Sequence, residues 1–335
     1  MLNPDLQLNE NLFSEEAEVK PTRDGFGEGL VQAGHNDERV VGLCCDLTES
    51  TRMHHFASEF PDRFIEIGVA EQNLASVASG MAAMGKIPFA ASYAMFNPGR
   101  NWEQIRTTVC YNDVPVKIVG GHAGISVAQD GGTHQAIEDI AITRVIPRMD
   151  VVYPCDALQA RQATQAIAQT DNPTYIRLAK QKTPIITTEN TPFEIGRAQT
   201  VWEPTNRQLS LGIITAGPVL HNVLQAVQIM DEKGIGIRVV NMHTIKPIDV
   251  DAIRSMARDC GRILTVEEHQ RAGGLGSAVA ETLTEICPVP MRIHGIDDCF
   301  GESGTADELL AKHGLDVDGI VRQIEEILKL QVCKF

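Results

Sequence analysis

Short apolar runs with strand-like composition alternate with helical patterns along nearly the whole chain, and that alternation leaves few architectures open. In the first half the strand-like runs are Arg39–Asp46, Phe64–Gly68, Ile87–Phe96, Pro115–His122, Asp150–Pro154 and Thr174–Leu178. Between them, Glu71–Gly85 spaces Leu74, Val77, Ala78 and Met81 along one helix face, and Asp156–Gln169 predicts a second helix. Strands separated by helices build βαβ units, whose strands lie parallel. The rhythm breaks from Thr183 to about Arg207, where Pro184, Pro192 and Pro204 interrupt any helical period. It then resumes with strand-like Leu211–Ala216, Gly236–Met242, Arg262–Glu267 and Met291–Gly295. The intervening helices are Val219–Lys233, Val250–Asp259 and Gly274–Cys287, with Ala306–His313 and Val317–Lys329 closing the chain. The fold expected is two parallel-sheet α/β domains. An acidic, mobile lead-in covers 1–20, the first domain 21–185, a linker 186–207 and the second domain 208–335.

Charge narrows the partners. Lys and Arg total 29 against 44 Asp and Glu, a formal −15, so no broad basic surface is available for nucleic acid or an anionic membrane. No apolar run approaches the ~20 residues of a membrane span, and the acidic N-terminus is neither a signal nor a transit peptide. The eight cysteines (44, 45, 110, 155, 260, 287, 299 and 333) are scattered without a C-x-x-C pair. That pattern suits reduced thiols in a cytosolic protein rather than a zinc site or disulfide framework.

Two stretches concentrate polar chemistry. GGHAGISVAQDGGTHQ, Gly120–Gln135, follows an apolar strand and carries His122, Asp130 and His134 among five glycines. In open α/β sheets ligands bind beyond the strand C-termini, where this loop would lie. On the residues alone it reads equally as a ligand loop or as a surface loop with an incidental pair of histidines, and H-x11-H is not a metal spacing. The other stretch, RFIEIGVAEQNLASVASGMAAMG, runs a strand into a helix whose first turn carries Glu71. A carboxylate there is favoured by the helix dipole whether or not it does chemistry. Ala75, Ser76, Ala78, Ser79 and Gly80 predict close packing of this helix against another element or subunit.

EIGVAEQN, then AASYAMF, then HAGISVAQDGGTHQAIED, resembles in order and spacing the pyrimidine-binding domain of the thiamine-diphosphate transketolase family. VEEHQRAGGLGSAVAE and DDCFGESGTADELLAKHGL resemble that family's C-terminal domain, so the resemblance spans about 21 to 330. The G-D-G motif of the family's diphosphate-binding domain does not occur. The resemblance therefore implies the C-terminal subunit of a split transketolase. Such a subunit would transfer a two-carbon ketol unit from a ketose phosphate to an aldose phosphate. Thiamine diphosphate would lie at the interface with an N-terminal, diphosphate-binding partner subunit that mainly holds the Mg²⁺ or Ca²⁺. The implied assembly is an α2β2 heterotetramer in which this chain also self-dimerises, located in the cytoplasm.

Residue by residue, the resemblance makes Glu71 the catalytic glutamate at N1′ of the aminopyrimidine, Phe96 its stacking aromatic and Tyr93 a neighbour in the same pocket, where Phe is usual. Asp46 matches an Asp near the thiazolium, or is simply a strand-end cap. His134, with a catalytic role, and Asp130 match contacts to the donor's first hydroxyls, and His122 a contact to the sugar or its phosphate. Arg23 and Ser50 match phosphate contacts. A further phosphate cation falls on Lys180, with Arg177 the alternative. HAGIS stands where transketolases commonly read HDSIG. AGGLGS, 272–277, reads as a tight strand-to-helix turn rather than a nucleotide loop, and Glu267, Glu268 and His269 as interdomain or intersubunit contacts. Rival readings are the β subunit of a 2-oxoacid dehydrogenase E1 component, a deoxyxylulose-phosphate synthase, and a non-catalytic subunit that kept the fold.

Overall fold

The computed structural model describes residues 1–205 and 207–330, so Cys333 lies outside the described residues. A seven-stranded sheet runs in the order 244–246, 150–152, 174–177, 117–121, 87–93, 40–44, 64–66. All neighbours are parallel except Thr244–Lys246, which pairs antiparallel with Asp150–Val152. The second sheet has five strands, ordered 291–296, 263–270, 209–215, 236–241, 199–202, with Gln199–Trp202 antiparallel at its edge. The central strands Val40–Cys44 and Lys117–Gly121 are buried throughout, as parallel strands covered on both faces must be.

Helix Thr22–Asn36 is absent from the sequence reading because Gly25, Gly27, Gly29 and Gly34 argue against a helix. Packing overrides that preference. The helix crosses Ala157–Ala168 so closely that a Cβ on Gly25 would sit 1.8 Å from the Ala157 carbonyl oxygen, and one on Gly29 2.7 Å from that of Arg161. This contact seats Arg23, in the helix's first turn, above the sheet.

Residues 1–20, expected to be mobile, are instead docked. Leu8 and Leu12 are buried in the second domain's core, and Phe13 meets Trp202 edge-on at 6.4 Å between centroids. Backbone bonds tie Asn3 to Val201 and Asn9 to Ile186, and Val19–Lys20 pairs with Thr183–Pro184. The acidic residues mask an apolar series (Leu2, Leu6, Leu8, Leu12, Phe13) that has a core to enter. The expected linker 186–207 likewise contains the edge strand Gln199–Trp202. Thr244–Lys246, from the second half of the sequence, completes the first sheet.

Candidate active site

The C-terminal ends of the first sheet's parallel strands converge on one aromatic cluster, the position at which open α/β sheets take ligands. Strand Ile87–Tyr93 ends in Tyr93, and the turn behind it presents Phe96. Strand Lys117–Gly121 delivers His122, which takes a positive φ of 55° as the chain leaves the sheet. Tyr93 stacks on His122 at 3.9 Å and 29°, and lies 6.3 Å from Phe96 at 20°. His134 meets Phe96 edge-on at 5.4 Å. Tyr93, Phe96 and His134 all remain partly open to solvent.

Glu71 begins helix Glu71–Ala83 and is 1% exposed. Its carboxylate accepts from Ser92 Oγ at 3.1 Å and from Arg100 Nη1 at 2.6 Å. The same Arg100 guanidinium lies over the Phe96 ring at 4.5 Å, joining the carboxylate to the aromatic cluster. Asn101 donates to the Glu71 carbonyl and to Asn97 Oδ1, and Asn97 donates to the carbonyls of Ala90 and Val119. The sequence reading missed Arg100, Ser92, Asn97 and Asn101. For Asn97, Arg100 and Asn101 the polar NPGRN segment directly after AASYAMF was the available signal, while Ser92 lies within AASYAMF itself.

Arg23 Nη1 lies 3.0 Å from His122 Nε2 and also donates to the Ser50 carbonyl at 3.0 Å. A guanidinium only donates, so Nε2 accepts and the ring proton sits on Nδ1. That Nδ1 is buried without a protein partner, an unused donor at the floor of the site. Burial first, then the positive charges of Arg23 and Lys180, lowers the His122 pKa to about 3, so the ring is neutral at working pH. Burial, then Arg52, likewise pushes Arg23 below its ordinary value. Ser50 meets Arg23 through its backbone rather than its hydroxyl. Lys180 Nζ pairs with Asp130 Oδ1 at 3.0 Å, so an expected phosphate cation and an expected hydroxyl acceptor hold each other. His134 Nδ1 lies 3.0 Å from Thr133 Oγ1.

Two expectations need correction. Arg177, the alternative phosphate cation, is fully buried and out of substrate reach. Its Nε bonds Asp139 Oδ2 at 2.7 Å, its Nη2 bonds the carbonyls of Ala136 and Glu268, and its guanidinium covers the Tyr153 ring at 4.5 Å. Asp46 is no helix cap: the next helix, Met53–Glu59, starts after Arg52 with no side-chain cap. Asp46 is exposed, takes a φ of 56°, and its N–H donates to Glu66 Oε1 at 2.6 Å.

The AGGLGS turn is occupied by the chain itself. Glu267 accepts from the N–H groups of Leu275 and Gly276 at 2.6 and 2.9 Å, filling the helix N-terminus where a nucleotide phosphate would sit. Glu268 and His269 make interdomain contacts, to the Ser126 and Ala141 amides respectively.

The site fits the aminopyrimidine of thiamine diphosphate in two respects, a buried carboxylate and half-open aromatic rings beside it, while the unpartnered His122 N–H is left free for another ligand atom. Among the described residues no group of three His, Cys, Asp or Glu side chains is placed to hold a metal ion, and no helix is long and apolar enough to cross a membrane.

Comparison with known proteins gives a consistent set of relatives. Residues 19–185 match the transketolase pyrimidine-binding domain and 200–320 the transketolase C-terminal domain. The chain is 40% identical over 305 residues to a 6-deoxy-6-sulfo-D-fructose transketolase subunit of Clostridium sp., covering 91% of this chain and 94% of that protein. It is 39% identical over 309 residues to one subunit of an apulose-4-phosphate transketolase of Phocaeicola vulgatus, covering 92% and 97%. Among solved structures it is similar to a split-gene transketolase described as an inactive β4 tetramer, with a TM-score of 0.85 at 41% identity, covering 92% of this chain and 99% of that one.

Proposed function

The chain belongs to the transketolase family, and from that premise we propose that it is the pyrimidine-binding, C-terminal subunit of a split transketolase that transfers a two-carbon ketol unit between sugar phosphates. The observation that carries this reading is the buried Glu71 carboxylate, held by Ser92 and Arg100 beside the Tyr93–Phe96 cluster. When bound, thiamine diphosphate supplies a carbon nucleophile able to cleave the bond next to a ketose carbonyl and carry the two-carbon piece to an aldose. Glu71 would hold a proton against the pyrimidine N1′, at a site where burial keeps water from competing for it. Phe96 and Tyr93 would stack on and flank the ring.

Around the sugar, the neutral His122 offers its Nδ1 proton to a substrate oxygen, and Arg23 anchors His122 from behind. Asp130 and His134 face the hydroxyls of the transferred unit, with His134 placed at the cluster's edge for proton transfer. Lys180, Arg23 and Ser50 line the direction in which a terminal anion would lie. Asp46 would serve the thiazolium side only if the partner's surface brings the cofactor to it. One relative is named for a sulfonated fructose and another for apulose 4-phosphate. The terminal anion, phosphate or sulfonate, is therefore the open variable of the substrate, and conventional ketose phosphates are our first choice.

The diphosphate and its Mg²⁺ or Ca²⁺ would be held mainly by an N-terminal partner subunit, in an α2β2 assembly with self-dimerisation of this chain. A reducing, cytoplasmic setting belongs to the same reading, on the scattered cysteine pattern without a C-x-x-C pair. The relatives are transketolase subunits, which favours this reading over a 2-oxoacid dehydrogenase β subunit. The test mixes this chain with its candidate diphosphate-binding partner, thiamine diphosphate and Mg²⁺, and assays ketol transfer. Activity in the mixture alone, lost in Glu71→Ala with assembly intact, is the expected result. Normal turnover by this chain without a partner, or by the Glu71→Ala complex, overturns the proposal.

A further inference from the structure

The second domain carries none of the candidate catalytic groups, yet it grips the one loop that holds His122, Asp130 and His134. That loop has little regular structure of its own. It passes through positive φ at His122, Gly124, Ala128 and Gly131, with Ala128 at φ 70° and ψ −117°, a conformation L-residues avoid. Something outside the loop must impose this path: the first domain holds it at His122, Ala123 and Asp130 through Arg23, Leu178 and Lys180, and the second domain grips it at Gly124–Ser126 and again at 129–135.

Glu268, on strand Ile263–Gln270, accepts the Ser126 N–H at 2.7 Å. A Cβ on Gly124 would sit 2.2 Å from Glu268 Oε1, so the carboxylate fills the space that glycine leaves. On the loop's far side, Gln135 Nε2 donates to the Glu302 carbonyl at 2.8 Å while also reaching the carbonyls of Ile125 and Ala128. Ser303 Oγ donates to the Gln129 carbonyl at 3.2 Å. The backbones touch there too: a Cβ on Gly132 would meet the Gly301 carbonyl oxygen at 2.6 Å.

We infer that the second domain acts in the reaction as a clamp on the substrate loop, with Glu268 and the Gly301–Ser303 turn as positioning elements that set sugar affinity without touching sugar or cofactor. The inference takes from the proposed function only that this loop meets the sugar. A clamp of this kind fixes where His122, Asp130 and His134 stand before substrate arrives, so loosening it lowers affinity more than it slows the chemical step.

The experiment has two arms. In the full chain alone, amide hydrogen exchange compares the parent with Glu268→Ala, Glu268→Gln and Gly301→Ala. Exchange across 123–130 should rise about tenfold in Glu268→Ala, with strands Lys117–Gly121 and Leu209–Thr215 unchanged. Glu268→Gln, which keeps an acceptor for Ser126, should restore most of the protection. Gly301→Ala, whose Cβ would strike Gln135 Oε1, should free 129–135. In the assembled complex, Glu268→Ala should raise KM for the ketose donor about tenfold with kcat changed less than about threefold and thiamine diphosphate affinity unchanged. Protection of 123–130 unaltered in both Glu268→Ala and Gly301→Ala overturns the clamp, as does faster exchange spread evenly over both domains. A parent complex that transfers no ketol unit sinks the proposed function instead, and the exchange arm still decides the clamp.

Discussion

Replacing Arg177 separates a structural from a substrate role more sharply than any other single change. The side chain is fully buried, ion-paired to Asp139 and bonded to the Ala136 and Glu268 carbonyls. Burial alone would favour the neutral forms of both partners. The attraction between them outweighs it, holding Asp139 below its ordinary value and Arg177 above. Arg177→Met would leave the Asp139 carboxylate with the Tyr175 hydroxyl, 2.6 Å away, as its remaining side-chain donor, and would remove the guanidinium from the Glu268 carbonyl and from that of Ala136, which keeps the Gly124 N–H. Removing one member of a buried pair costs about 3–5 kcal/mol, chiefly for the stranded charge. Urea denaturation followed by tryptophan fluorescence reads this directly. Trp102 donates to the Ile142 carbonyl within the helix Asp139–Arg144, and Trp202 stands on the second sheet's edge. The double variant Arg177→Met with Asp139→Leu should recover at least about half the loss, because no charge is then stranded. A cost below about 1 kcal/mol in the single variant, within the ordinary range for surface pairs, would refute the reasoning. So would a stable Arg177→Met complex that merely loses affinity for anionic sugars, since that is how a phosphate ligand behaves.

Other consequences are equally accessible. Arg100→Met should cut turnover of the assembled enzyme by about 10- to 100-fold, and Arg100→Lys should restore part of it, because the Glu71 carboxylate loses its charged partner; turnover equal in all three proteins would remove Arg100 from the site. Burial raises the Glu267 pKa to about 8, above the ordinary ~4.3 of the unfolded chain. The folded state therefore holds an extra proton in that window, and this group's contribution to stability is complete below about pH 4.3 and is lost as pH rises toward 8. Glu267→Gln should flatten the unfolding midpoint over that span relative to the parent, and an identical pH dependence in both would count against it. His122 stays neutral down to about pH 3, so substrate KM should show no inflection near pH 6.5 that disappears in His122→Asn; finding one would show that the ring titrates.

Legibility from sequence followed the range of the interaction. The parallel strands and most long helices of both sheets were readable because apolar period is local, and Glu71 and His122 stood out in polar segments that follow strands, whereas Tyr93 and Phe96 were reached only through the family resemblance. Helix Thr22–Asn36 was not readable, since its four glycines are favourable only once Ala157–Ala168 lies against them. The strands Gln199–Trp202 and Thr244–Lys246 are too short to show a period. Arg177 and Lys180, three residues apart, could not be told apart as phosphate cations. Only the sheet's pleat decides that Arg177 points into the protein. Arg100 carries no signature by itself, and its meaning arises from the approach of Glu71.

Thr244–Lys246 has a consequence for how the protein can be cut. Since the second half of the chain lends the first sheet its outermost strand, and residues 1–20 from the other end close over the second domain's core, the two units are cross-stitched. A protease nick in the 186–198 segment should leave the fragments associated until denaturant is added. The N-terminal fragment produced alone would display a raw sheet edge, and the C-terminal fragment a core stripped of Leu8 and Leu12, so the molecule should unfold with the all-or-none character of one body although it is built as two.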